Sequence, residues 1–210
     1  MEFSKKDLFI TDFWEFKFPY FDQLKGLIND YLDSKEVQKY LESIKNNNPS
    51  LTTYGGEEVP IENAPIESLL ATQTAKLLKI IEKAHIWEES EWHSFDCWIN
   101  INKQGGFNPP HIHPGQTYSG VYYLSVPEGS GNIHFLDPRP APIYATPDLN
   151  MENDKNIYSN NNPYDSRVFS HCPREGYVVF FPSWLVHYVD PNPTPSPRIS
   201  IAFNVKYGEL

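Results

Sequence analysis

The stretch Asp96-Cys97-Trp98-Ile99-Asn100-Ile101-Asn102 decides the fold. Cys97, Ile99 and Ile101 alternate with Trp98, Asn100 and Asn102, and a period of two means that successive side chains leave opposite faces of a β-strand. The same signature recurs downstream. Residues 119–126 are rich in valine and tyrosine and stop at the turn Pro127-Glu128-Gly129-Ser130-Gly131; residues 133–136, 177–181, 186–189 and 198–205 supply four further strands. Many short strands separated by Gly/Pro turns predict a β-barrel or sandwich. Residues 140–165 interrupt the series with a long polar segment rich in Asn and Pro, read as a disordered loop or a lid over a site.

Upstream of residue 90 the period lengthens. Phe21, Leu24, Leu27, Ile28, Tyr31 and Leu32 recur three and four apart, which gathers them on one helical face. Asp33 or Ser34 can cap a second helix running to Ile44, and Asn63 before Pro65 opens a third, with Ile66, Leu69, Leu70, Leu77, Ile80 and Ile81 as its apolar stripe. The expected organisation is one domain over residues 1–210, mainly β with N-terminal helices. Residues 1–90 form a mostly helical support and residues 91–210 the β core.

A hydrophobic fraction of 40% over 210 residues is enough for one sizeable core. The formal net charge of −10 repels phosphate backbones, so nucleic acid is not an expected partner. The two cysteines, Cys97 and Cys172, cannot build a disulfide framework and read as ordinary thiols of a reducing compartment. Met1 to Ile10 lacks the apolar core of a signal peptide, and the best apolar run stops at Pro182. The expectation is a soluble cytoplasmic protein without a membrane partner. Exposed strand edges leave room for a homodimer.

Two local features carry chemistry. In Asn108-Pro109-Pro110-His111-Ile112-His113-Pro114-Gly115, an extended backbone points His111 and His113 to the same side, so that both imidazoles converge on one point. Turn histidines before a Pro-Gly corner would look the same. The second feature is His187, which follows the turn at Pro182 and precedes a strand where Arg198, Ser200 and Asn204 share one face. Burying arginine inside a barrel is costly unless an anion partners it, and its planar fork matches a carboxylate. An edge strand with Arg198 in solvent is the alternative.

Taken in order, His-x-His, the strand Ser119-Gly120-Val121-Tyr122-Tyr123-Leu124, a Gly turn, a distant His and Arg-x-Ser resemble the 2-oxoglutarate/Fe(II)-dependent oxygenase superfamily. More narrowly they resemble its family of small oxygenases of bacteria and phages. The resemblance covers the C-terminal half well and the N-terminal helices loosely. It implies a double-stranded β-helix, the jelly-roll or cupin-like barrel, with Fe(II) in its mouth and 2-oxoglutarate and O2 as cosubstrates. It makes His111 the first metal ligand and His187 the distal one, with Arg198 and Ser200 holding the far carboxylate of 2-oxoglutarate. The activity implied is hydroxylation of a small-molecule or peptide substrate, with 2-oxoglutarate converted to succinate and CO2.

The sequence departs from the superfamily at one position, where His113 stands in place of the ligating carboxylate. The reading favoured here makes His113 the third ligand. His113 outside the coordination sphere, or a carboxylate such as Asp137 completing the triad, are the alternatives. Trp98, Asn100, Asn102, Ser119 and Tyr123 are candidates to line the cavity, with Asn100 and Tyr123 placed near the cosubstrate; Tyr122 must then point the other way. His134, His85, His93 and His171 are read as structural. Competing functions are a three-histidine cupin-type dioxygenase that does not use 2-oxoglutarate and a non-catalytic jelly-roll that binds a metal or ligand.

Overall fold

The structure, a computed structural model, describes residues 10–44, 54–85, 92–139 and 168–207. In chain order the elements are β1 (Trp14–Lys17), α1 (Phe21–Leu32), α2 (Lys35–Ile44), β2 (Tyr54–Pro60), α3 (Ala64–His85), β3 (Trp92–His111), β4 (Tyr118–Ser125), β5 (Ile133–Leu136), β6 (Val168–His171), β7 (Tyr177–Pro182), β8 (His187–Val189) and β9 (Arg198–Tyr207). All pairings are antiparallel. The larger sheet runs β1-β7-β4-β9-β3-β2, and the smaller one joins the far end of β3 to β8, β5 and β6. The 20-residue β3 therefore belongs to both sheets. Its register shifts between Asn108 and His111, where it leaves one sheet for the other.

Alternation along the large sheet sorts residues between two cores. Ile99, Ile201, Phe203 and Tyr122 leave one face and pack with Leu24 and Ile28 of α1 and Ile66, Leu70, Leu78 and Ile81 of α3. Each such fully buried side chain contributes about 1.5–3 kcal/mol over its exposed state. The Tyr122 hydroxyl meets Thr74 Oγ1 at 2.8 Å, tying α3 to the sheet without leaving a buried polar atom unmatched. The opposite face looks toward the small sheet. There Tyr123, Val179 and Phe181 pack with Ile133, Phe135 and Leu185, and a cavity opens beside them.

The helices begin where their caps predict. Ser34 Oγ accepts from the Val37 amide at 3.4 Å, and Asn63 Oδ1 from the Ile66 amide at 3.2 Å. The helical reading of residues 1–90 needs one correction, since β1 and β2 also come from this half. β1 is only four residues long, too short to establish a period. β2 reads Tyr-Gly-Gly-Glu-Glu-Val-Pro, a composition poor in strand formers, and gains its strand from pairing with β3. Arg198 is not on an edge, because β9 lies between β3 and β4. Among the described residues no helix is long and apolar enough to cross a membrane. Residues 1–9, the 140–165 segment, and the side chains of His85 and His93 lie outside the described residues.

Candidate active site

Strand register assembles the cavity wall in rungs. Glu58 of β2 pairs with Asn100 of β3, Asn100 with Ser200 of β9, and Ser200 with Tyr123 of β4, so four inward side chains stand in one row. The next inward row contains Trp98, Ala202 and Val121, and on the other side Asn102 pairs with Arg198. These residues and the three histidines His111, His113 and His187 line one cleft of about 640 Å³ including its open mouth. The expected cavity residues Trp98, Asn100, Asn102, Ser119 and Tyr123 all face it.

His111 and His187 are cross-strand partners on the small sheet, and His113 follows two residues after His111. One ligating nitrogen from each of the three lies within 4.8 Å of the others. Two of the rings are held by their own backbone. His111 Nδ1 lies 2.7 Å from the Pro109 carbonyl and His187 Nδ1 2.8 Å from the Leu185 carbonyl. A carbonyl only accepts, so each Nδ1 carries a proton, which leaves Nε2 as the nitrogen free to ligate. His113 is fixed through its amide, which donates to the Ser183 carbonyl at 3.0 Å. Its Nε2 stands 3.3 Å from His187 Nε2.

The cluster is electrostatically suited to a cation. Burial lowers His113 to about 4, helped by the neighbouring His111. Burial and His111 likewise lower His187 to about 3, against the opposing pull of its Leu185 hydrogen bond. Both rings are therefore neutral at pH 7 and available as ligands. Nitrogens bound to one first-row metal at roughly 2.0–2.1 Å in a tetrahedral arrangement lie about 3.3 Å apart. The His113–His187 pair has that spacing, and three imidazoles whose ligating nitrogens lie within 4.8 Å of one another fit an Fe(II) ion.

The other pole is Arg198, 2% exposed. Its Nη1 donates to the Ser130 carbonyl at 2.7 Å, and its Nη2 to the Asp190 carbonyl at 3.4 Å. Carbonyls satisfy hydrogens without neutralising charge. Among the described residues no carboxylate lies within ion-pair distance of the guanidinium. Burial accordingly works against its charged form, while Tyr123 and Asp190 favour it. Tyr123 is held as a neutral phenol, its titration pushed up by burial despite Arg198. Arg198, Ser200 and Tyr123 thus present one cation and two hydroxyls to the cleft, a donor set for a carboxylate.

The remaining candidates separate cleanly. Asp137 is engaged by Arg139, whose Nε and Nη2 donate to it at 2.9 and 2.6 Å, and it is not in the histidine cluster. His134 sits between Ser170 Oγ and Asp190 Oδ2, each at 2.8 Å, and stacks on Tyr188. His171 faces Glu15 at 3.3 Å and the Phe13 ring. Cys97 packs against the helix-side core, and burial pushes its thiol up to about 12, leaving it unreactive.

Sequence reasoning missed three contributors, Ser183, Asn108 and Glu58, and gave Asn204 a strand face but no role. Ser183 and Asn204 form a buried chain with Ser119, which donates to Asn204 Oδ1 at 2.7 Å and meets Ser183 Oγ at 2.8 Å. That chain ties β4 and β9 to the turn holding His113. Asn108 lines the cleft and lies 3.4 Å from the Asn102 amide nitrogen. A period-two count from His111 sends Asn108 outward; the shift in β3 brings it in. Glu58 enters from β2, where the strand itself was not expected.

A barrel of two antiparallel sheets, with a cluster of imidazoles and a buried arginine at one cleft, defines the double-stranded β-helix metal-enzyme class. A family model described as "Putative 2OG-Fe(II) oxygenase" matches residues 96–204, and the chain belongs to that family. Fe(II) and 2-oxoglutarate, with dioxygen, come with that membership as cofactor and cosubstrates.

Solved structures agree on the fold. A Pseudomonas putida prolyl-4-hydroxylase aligns over 95% of this chain and 94% of its own at 16% identity, with a TM-score of 0.59. A Trichoplax adhaerens prolyl hydroxylase in complex with a hypoxia inducible factor oxygen degradation domain peptide fragment gives 92%, 83%, 14% and 0.53 in the same order. HygX from Streptomyces hygroscopicus, with nickel and 2-oxoglutarate bound, gives 93%, 83%, 11% and 0.52. No curated protein sequence matches the chain.

Proposed function

We propose that the chain is an Fe(II)- and 2-oxoglutarate-dependent dioxygenase that hydroxylates a small-molecule or peptide substrate. The observation that carries this reading is the placing of three imidazoles and one buried arginine, without a carboxylate partner among the described residues, on the walls of a single cleft. His111, His113 and His187 would hold the iron. The chemistry supplied when iron and cosubstrate are bound is oxidative decarboxylation of 2-oxoglutarate to succinate and CO2, coupled to hydroxylation of a C–H bond.

The residues of the chain bind, orient and exclude water. Arg198, with Ser200 and Tyr123, anchors the far carboxylate, which fixes the direction in which the keto acid end points. Pro109 and Leu185 carbonyls keep His111 and His187 in one tautomer, so the ligand lone pairs need no reorganisation. Ile133 of the small sheet and Phe181 of the large one add apolar walls that help exclude water from the cleft. Residues 1–210 act as one oxygenase domain, in which the helices of the first 90 residues stiffen the sheet from behind. The chain works without nucleic acid or membrane, in the cytoplasm.

The test is anaerobic reconstitution with Fe(II), admission of oxygen with 2-oxoglutarate, and assay of succinate, with His187→Ala alongside. Succinate from the wild type and none from the variant is expected. Stoichiometric iron with neither succinate nor 2-oxoglutarate binding would favour a three-histidine dioxygenase that oxidises its substrate directly, the alternative to which the lack of a carboxylate in the cluster among the described residues lends weight.

A further inference from the structure

The Arg198 fork is aimed by main-chain atoms, and those atoms belong to two separate segments. Nη1 donates to the Ser130 carbonyl at 2.7 Å and reaches the Gly131 carbonyl at 3.5 Å, while Nη2 donates to the Asp190 carbonyl at 3.4 Å. Ser130 and Gly131 precede β5, whereas Asp190 follows β8. Hydrogen bonds weaken steeply with misalignment, so this cradle orients a guanidinium only if the two segments keep a fixed separation.

The Asp190 side chain fixes that separation. The last ladder pair of the two strands is Ile133 with Val189, and the next pair would be Asn132 with Asp190. Asp190 donates its amide to the Asn132 carbonyl at 2.9 Å, as a ladder residue does. The return bond is different. The Asn132 amide donates to Asp190 Oδ2 at 3.1 Å, so the carboxylate stands in for the Asp190 carbonyl. That exchange satisfies the Asn132 amide and releases the Asp190 carbonyl to accept from Arg198. His134 Nε2 lies 2.8 Å from the same Oδ2, so two residues of the 132–134 segment converge on one oxygen. Gly131 permits the close approach. Its φ is +97°, and a Cβ there would stand 2.8 Å from Asp190 Cβ and 3.1 Å from the Asp190 carbonyl oxygen.

We propose that Asp190 is a positioning residue for the cosubstrate: its carboxylate clasps the 130–132 turn, its carbonyl aims Arg198, and the pair of contacts sets the selectivity for a 2-oxo acid with a second carboxylate. Asp190 is not among the residues lining the cleft, so it acts through Arg198 rather than on the ligand. This assignment rests on the dioxygenase reading above and deepens it at the arginine end.

The experiment is calorimetric titration of the protein loaded anaerobically with Fe(II), using 2-oxoglutarate and 2-oxopentanoate. The second acid carries a methyl group where the first carries its far carboxylate, so it makes no use of Arg198. The wild type should prefer 2-oxoglutarate roughly 10- to 100-fold. In Asp190→Ala that preference should fall by about tenfold through weaker 2-oxoglutarate alone, with 2-oxopentanoate binding and iron retention unchanged. Damage to the barrel as a whole would instead weaken both acids and the iron together. Asp190→Asn keeps an oxygen for the Asn132 amide and should restore the wild-type preference. Gly131→Ala pushes Asp190 away from the opposite side and should reproduce the alanine result, which decides the matter if Asp190→Ala does not fold. A wild-type preference surviving in both disruptive variants, a parallel loss of both acids, or an asparagine variant as impaired as the alanine one would overturn the positioning role. A wild type that binds the two acids equally would refute the dioxygenase reading of the Arg198 end, and this proposal with it.

Discussion

Adding one methyl group at Gly120 should break the sheet that carries the site. Gly120 on β4 is paired with Phe203 on β9. A Cβ built there would sit 2.2 Å from Phe203 Cζ, 2.6 Å from Phe203 Cε1 and 2.6 Å from the Val179 carbonyl oxygen of β7. Ordinary contact begins near 3.4 Å, so the ring would have to retreat by more than an ångström. It cannot do so freely, because Phe203 is fully buried with Phe95, Tyr122 and Phe180 rings around it at centroid distances of 5.8, 4.9 and 5.5 Å. The Val179 oxygen moves only if the β4–β7 ladder opens. Overpacking of this kind costs about 1–3 kcal/mol when a side chain alone must yield, and the backbone clash places Gly120→Ala at or above the upper end. With a urea m-value of roughly 1–3 kcal/mol/M, the unfolding midpoint should fall by about 1 M or more. Gly120→Ala combined with Phe203→Leu should recover part of that loss, since only the ring clash is relieved. Gly26 in α1 supplies the opposite sign: a Cβ there meets nothing within 4 Å, so Gly26→Ala should stabilise by about 0.5–1 kcal/mol. A midpoint for Gly120→Ala within about 0.3 M of wild type would refute the packing argument.

Other consequences are more directly functional. Arg198→Lys keeps the charge but loses the fork. Removing a charge-assisted hydrogen bond worth about 1.5–3 kcal/mol should weaken 2-oxoglutarate roughly 10- to 100-fold by calorimetry; an unchanged dissociation constant would remove Arg198 from the site. Ser183→Ala breaks the chain beneath His113 while leaving the Ser183 carbonyl in place. A modest loss of iron affinity, below about tenfold, is expected by equilibrium dialysis, because positioning partners commonly contribute 10- to 100-fold when they hold the ligand directly. The metal-free protein should be acid-labile. His113 and His187 titrate at about 4 and about 3 when folded, below the 6.5 of an unfolded histidine. The unfolded chain therefore binds more protons between pH 6.5 and 3, and stability falls as pH drops through that window. Urea midpoints measured in chelator should decline from pH 7 to pH 4, and less so when both histidines are replaced by asparagine; equal slopes would contradict the assignment.

The strands of the C-terminal half were legible because one face is apolar and the other carries amides, hydroxyls and an arginine. That contrast in 96–102 and 198–205 predicted the strands, while the alternation alone left open which face of 96–102 turns inward. What hid from the sequence hid for physical reasons. β2 is a strand by pairing rather than by propensity, so Glu58 had no pattern to announce it. Asn108 was masked by the register shift that carries β3 from one sheet to the other. Ser183 lies in a turn, where side-chain direction has no period, and its carbonyl rather than its hydroxyl holds His113. The anchoring of His111 and His187 by Pro109 and Leu185 is likewise a main-chain matter that residue types do not encode.

In the proposed site three imidazoles serve one iron, with His113 in the place of a carboxylate. X-ray absorption on the anaerobic Fe(II) protein counts those imidazoles directly, in the wild type and in His113→Ala. Three in the wild type and two in the variant, with weakened iron retention, is the predicted result. Two in both proteins would contradict it and place His113 outside the coordination sphere.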